Sequence, residues 1–163
     1  MNDPAKIVQQ YEKFLSVIQK VLSHDNFSSF EKLSNDIGER LAVAPRGLTD
    51  QSGGEPGALI DFSITTASAV KKISSSFNVD IKSAVKVALL HEIGKVGCVH
   101  QDLFLPQDSD WHREKLGQNY KYNPDARKMS VAHRTLALLS QYRISLTTDE
   151  FIALQTSQGL HLE

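Results

Sequence analysis

The chain has 163 residues, with 18 Lys+Arg against 19 Asp+Glu for a formal net charge of −1, 40% hydrophobic and 23% charged. That composition is globular rather than disordered, the length fits one domain of roughly 100–200 residues, and near-neutrality leaves no basic excess of the kind a duplex-binding module carries. No apolar run reaches the roughly 18–20 residues of a membrane helix, Met1-Asn2-Asp3-Pro4 lacks the basic-then-apolar start of a secretory signal, and the single cysteine, Cys98, excludes an intramolecular disulfide and a Cys-rich zinc site.

The expectation is a soluble, cytoplasmic, single-domain chain spanning 1–163, with no membrane partner and no strong nucleic-acid signal. Ile7, Tyr11, Phe14, Ile18, Val21 and Leu22 recur at spacings of three and four, which predicts a helix over 6–22 with Pro4 near its first turn. Its apolar stripe suits intramolecular packing, or else a protein partner of unknown kind. A second helix is predicted over 28–41, burying Phe30, Leu33, Ile37 and Leu41. Residues 42–57 hold two prolines and four glycines and read as a surface loop. The helical pattern returns over 58–77, with Leu59, Phe62, Val70 and Ile73 as burial candidates.

Asp80 has the character of an N-cap for the next helix, DIKSAVKVALLHEIGKVG, in which Ile81, Ala84, Val85, Ala88 and Leu89 repeat and Gly94 or Gly97 supplies the stop. Residues 98–128 have weak periodicity and read as a long loop or short hairpin, a length uncommon unless a site orders it. A helix over 129–142 follows, with Val131, Leu136, Leu138 and Leu139 apolar. Thr147-Thr148-Asp149-Glu150 matches a capping box that opens a last helix carrying Phe151, Ile152 and Leu154. The fold class expected is an all-α bundle of about six helices.

The sharpest chemical feature is ALLHEIGKVG, an apolar helix ending in His91-Glu92, then a glycine turn and Lys95. Imidazole and carboxylate are good ligands for first-row metals, and a nearby lysine suits phosphate. The bland alternative is a helix-end Glu92–Lys95 pair at i,i+3, worth a few tenths of a kcal/mol, with His91 hydrogen-bonded to a neighbour.

This motif resembles the centre of the HD-domain phosphohydrolase superfamily, an apolar helix ending His-Asp followed by Gly-Lys. Upstream, Ala44-Pro45 and GGEPGALIDFSITTASAV resemble the Gly-rich loop and helix carrying that family's first metal histidine. Downstream, AHRTLALLSQYRISLTTDEFIALQTSQG resembles its Ser/Leu-rich helix, capped turn and a helix ending in His-x-Gly. The resemblance covers 42–163 and sets 1–41 apart as N-terminal helices. It implies an HD-like helical domain whose metal site is incomplete. Phe62, 29 positions before His91, stands where the first histidine belongs, Glu92 replaces the aspartate, Ser157 takes a position where some relatives have a histidine, and the distal aspartate with its helix falls beyond Glu163.

Only His91 and Glu92 then remain as metal ligands, short of the three or so a hydrolytic site needs. Asp61 neighbours Phe62 but should face about 100° away on a helix, and Asp50, Ser63 and Asp102 are conceivable oxygen donors without supporting spacing. Lys95 and His133 are the candidates for phosphate or ligand binding, His133 having a surface helix position as its plainer reading. His24, His100, His112 and His161 read as surface residues. Trp111, Tyr120 and Tyr122 either stack a base or pin the long loop to the core, and nothing in the pattern around Cys98 marks it as a nucleophile. The resemblance therefore implies a non-catalytic nucleotide- or phosphate-binding or regulatory module with no tightly bound cofactor. The alternatives are an active phosphohydrolase of a nucleotide or phosphate ester using Mn, Fe, Ni, Zn or Mg, or a purely structural interaction domain.

Overall fold

The computed structural model describes residues 3–159 and is mostly helical. His161, Glu163 and the expectations placed on them lie outside the described residues. The first two helices are α1 (Pro4–Val21) and α2 (His24–Val43). Asp3 caps α1, its carboxylate accepting the Ala5 N–H at 3.1 Å, and Ser23 caps α2. Ser23 moves the start of α2 four residues ahead of the expected 28. α3 (Ala58–Ser74) and α4 (Ile81–Leu90) form the most extensive helix pair, and α4 starts at the expected Asp80 cap.

After α4 a single 3-10 turn over Ile93–Val96 leads into the antiparallel strands β1 (Gly97–Cys98) and β2 (Gln101–Asp102). β3 (Phe104–Pro106) pairs antiparallel with β4 (Tyr120–Tyr122), Phe104 opposite Tyr122. Between them lies α5 (Asp110–Leu116), and the chain closes with α6 (Val131–Gln141) and α7 (Thr148–Thr156). The segment expected as a loop or hairpin thus holds four short strands and a helix, which makes seven α-helices among the described residues. α5 buries none of its side chains, so it has no apolar periodicity to betray it.

One contiguous core joins α1 to α7. Phe14 and Ile18 meet Phe30, Leu33, Ile37 and Leu41 from α2, Leu59 and Ile64 from α3, and Leu89 and Leu90 from α4. Leu138, Leu139 and Leu154 extend it, so α1 packs within the chain as its stripe suggested. Ile73, Ile81, Phe151 and Ile152 are exposed instead of buried. The first two sit where α3 ends and α4 begins, and the last two turn away from the Glu150–Leu154 side of α7.

Two polar devices tie the helices together. Arg40, in the last turn of α2, donates to Asp102 Oδ1 at 2.6 Å and to the carbonyls of Val96, Cys98 and Val99 at 2.7–3.0 Å, gathering the β1–β2 turn onto α2. Tyr142, ending α6, donates to Asp36 Oδ2 at 2.5 Å, and burial together with that carboxylate pushes its phenol up to about 12.

A further tie is a buried pair between α4 and α7. Lys86 Nζ lies 2.7 Å from Glu150 Oε2, the residues being 6% and 4% exposed. Lys86 also donates to the Ser145 carbonyl, while Ser83 Oγ and the Thr147 N–H donate to Glu150. The expected Thr147–Glu150 capping box is therefore also the anchor of α7.

Burial alone raises the Glu150 carboxyl, but hydrogen bonds from Lys86, Thr147 and Ser83 outweigh it and hold the group below the ordinary carboxylate value. A pKa depressed in the folded state adds stability that is complete above the unfolded pKa, about 4.3, and is lost as pH falls through the folded value. Glu150→Gln should cost about 2–4 kcal/mol at pH 7, because it strands Lys86. It should also flatten the loss of stability below about pH 4.3. Urea melts of both proteins across that range check both effects, and parallel pH curves would contradict them.

Candidate functional site

The backbone around His91 is shaped by two glycines. Gly94 sits so close to α6 that a Cβ would lie 2.5 Å from the Val131 carbonyl oxygen and 2.7 Å from the Thr135 nitrogen. Gly97 has φ +106° and ψ −143°, a left-handed conformation that favours glycine, and a Cβ there would meet the Gln101 oxygen at 2.1 Å. α4 therefore stops at Leu90, the 3-10 turn nests on α6, and the chain reverses into β1. Of the two glycines expected to end α4, Gly94 serves helix packing and Gly97 the reversal.

Thr135, fully buried on α6, fastens this turn. Its Oγ1 accepts the Gly94 N–H at 3.0 Å and donates to the His91 carbonyl at 3.3 Å. His91 Nδ1 lies 2.8 Å from the Ala88 carbonyl, which can only accept, so Nδ1 is the donor of this hydrogen bond. The half-buried Phe62 ring packs beside the imidazole, with centroids 6.0 Å apart and planes inclined by 50°. Phe62 and His91, 29 positions apart in sequence, are thus neighbours where α3 meets the end of α4.

Glu92 is 4% exposed and holds two cations. Lys95 Nζ donates to Oε1 at 2.7 Å, the i,i+3 pair of the plainer reading, and Arg46 Nε donates to Oε2 at 3.1 Å. Arg46 comes from the loop after α2 and lays its guanidinium carbon 3.5 Å from the centroid of the Phe62 ring. The guanidinium lies over the phenyl face, beside the tilted imidazole at the end of α4, the cation–π contact adding about 0.5–2 kcal/mol. The loop presents Arg46 through its own turn, with the Arg46 and Gly47 N–H groups donating to the Gly53 carbonyl.

The remaining expected donors are engaged elsewhere. Asp61 is exposed and accepts from Gln10, and Asp102 pairs with Arg40. Asp50 accepts from Asn119, and Ser63 donates to the Leu59 carbonyl inside its own helix. His133 is exposed on the first turn of α6, its backbone N–H bonded to the Ser130 cap. Among the described residues no hydrogen bond or ion pair joins His133 to Lys95 or Glu92.

His24 and His100 are exposed as expected, and His112 is half-buried against Ser109 Oγ. Trp111 and Tyr122 are exposed and Tyr120 is half-buried, so of the loop aromatics it is Phe104, its ring tilted by 51° against Tyr122 with centroids 5.3 Å apart, that is buried. Among the described residues no three His, Cys, Asp or Glu side chains cluster closely enough to hold a metal ion. No helix among the described residues is long and apolar enough to cross a membrane.

The donor set does not fit a divalent cation. Both Glu92 oxygens face cationic nitrogens, so an added ion would have to displace two charges of its own sign from a nearly dry site. The group Glu92, Arg46 and Lys95 carries one surplus positive charge. Arg46 is the member that sequence reasoning missed, and its position between Pro45 and Gly47, in a loop feeding the α3 helix, was the available signal.

Thr135→Val tests the scaffold of this turn. The swap is nearly isosteric but leaves the Gly94 N–H and the His91 carbonyl without their partner, so it should cost about 1–3 kcal/mol in a denaturant melt. A cost below about 0.5 kcal/mol would mean the turn is held by packing alone. Comparison with protein-family models, with curated proteins and with solved structures finds no match, so the reading of this site rests on its own geometry.

Proposed function

We propose that the chain is an HD-like helical module that binds a phosphate-bearing ligand such as a nucleotide and does not hydrolyse it. The observation that carries this reading is the saturation of Glu92: each carboxylate oxygen is held by a cationic nitrogen, Lys95 on one side and Arg46 on the other. In the superfamily that ALLHEIGKVG resembles, the corresponding carboxylate faces a metal. Here a guanidinium and an ammonium neutralise it, and Phe62, which the resemblance aligns with the missing histidine, packs between Arg46 and His91.

This arrangement changes what the residues can do. A carboxylate held by two cations is a poor ligand for the metal that would lower the pKa of a bound water, which disfavours a hydroxide nucleophile at neutral pH. The surplus positive charge stays, and Lys95 and Arg46 retain N–H donors that face no carboxylate oxygen, the donor type that recognises phosphate. Binding survives while hydrolysis is lost, which suits a regulatory role.

Purified protein should carry no stoichiometric Mn, Fe, Ni or Zn. It should show no His91-dependent turnover of nucleotides or phosphomonoesters with any of these ions or Mg added. Nucleotides should raise its melting temperature, and Lys95→Ala should reduce that rise severalfold. Stoichiometric metal that disappears in His91→Ala, together with turnover abolished by the same change, would establish the hydrolase instead. Absence of stabilisation by every phosphate compound would leave a structural interaction domain.

A further inference from the structure

The strongest unassigned feature is a buried cation without an anion. Arg134 on α6 is 2% exposed, a rare state for a side chain that stays protonated at every physiological pH. Its Nη1 donates to Cys98 Sγ at 3.2 Å and its Nη2 to the Arg127 carbonyl at 2.7 Å. Nε is buried with no hydrogen-bond partner. Among the described residues neither Arg134 nor Arg127 belongs to any ion pair. A buried charge of this kind is destabilising by several kcal/mol unless something of opposite sign approaches it.

Arg134 borders a cavity of about 360 Å³ between α6 and the β1–β2 turn. Cys98, His100, Arg127, Leu138 and Gln141 line it further, and no carboxylate does. The sequence around it is one-sided: between Asp125 and Asp149 the chain has Arg127, Lys128, Arg134 and Arg143 and no acidic residue, in a protein of net charge −1. The volume falls within the range of small-ligand sites, and two guanidinium groups with an imidazole and an amide are the donors that oxyanions select.

We propose that this cavity is a binding site for a phosphate-type oxyanion, which completes the charge balance of Arg134. None of its lining residues belongs to the Glu92 group, so it stands independently of the function proposed above. Cys98 is the chain's single cysteine and touches Arg134, which makes its thiol a reporter placed inside the site.

The test is the rate of Cys98 alkylation by anionic iodoacetate and by neutral iodoacetamide, in the intact protein and in Arg127→Gln, an exposed position whose change should leave the fold intact. The iodoacetate-to-iodoacetamide ratio should exceed that of a free cysteine peptide by about tenfold. Inorganic phosphate should suppress the iodoacetate reaction where sodium chloride of equal ionic strength does not, and Arg127→Gln should lose most of both effects. Equal protection by inorganic phosphate and a nucleoside monophosphate assigns the site to the free anion, and stronger protection by the nucleotide assigns it to the ester.

A second readout covers a thiol that proves unreactive: phosphate should raise the melting temperature by about 2–4 °C, less in Arg127→Gln. A ratio equal to that of the free peptide, or, for an unreactive thiol, a thermal rise of the same size in both proteins or in neither, would overturn the proposal.

Discussion

The structure turns on a carboxylate that has to be neutralised away from water. Glu92 lies at the foot of α4, nearly dry, and an unpaired charge there would be destabilising by several kcal/mol. Lys95 reaches back to it from the following 3-10 turn, and Arg46 reaches across from the loop after α2. This one group therefore ties three stretches of chain together. It also sets the chemistry, because a carboxylate already holding two cations has little affinity for a third.

The surrounding scaffold serves that arrangement. Gly94 allows the turn to touch α6, Thr135 bonds both sides of it, and Arg40 draws the next reversal onto α2 through three carbonyls and Asp102. The same principle recurs at the other end of α4, where Lys86 and Glu150 fasten α7. Arg134 breaks the pattern. It is the buried cation with no carboxylate partner among the described residues, and it borders a cavity that Arg127 also lines. On the proposed reading the protein thus satisfies buried charge internally where it builds the fold and leaves it unsatisfied where it binds a ligand.

The amphipathic elements were legible in the sequence because burial writes a period into it. Phe14 and Ile18, or Leu33, Ile37 and Leu41, could only be the inward faces of helices, and the Thr147–Glu150 box marked the start of α7. α5 left no such trace, having no buried side chain, although Ser109 and the left-handed Gly117 bracket it as caps. The strand pairs in 97–122 are only two or three residues long, too short for alternation to show. Within the site, Glu92–Lys95 was readable as a neighbouring pair and Phe62–His91 as a pair 29 positions apart. Arg46 was not, because its partner lies 46 positions away and is chosen by how a Gly/Pro loop folds. Arg134 was hidden behind His133: adjacent helix positions differ by about 100°, and here that rotation buries the arginine and exposes the histidine.

The central claim is that Arg46 and Glu92 are coupled as a cation and its buried anion. A double-mutant cycle measures this directly, using chemical denaturation of the intact protein, Arg46→Met, Glu92→Gln and the pair together. The account predicts a coupling of about 1–3 kcal/mol, with the double variant less damaged than the two single changes imply. A coupling within about 0.3 kcal/mol of zero would mean that Arg46 merely rests on Phe62, and that Glu92 is free to face another cation.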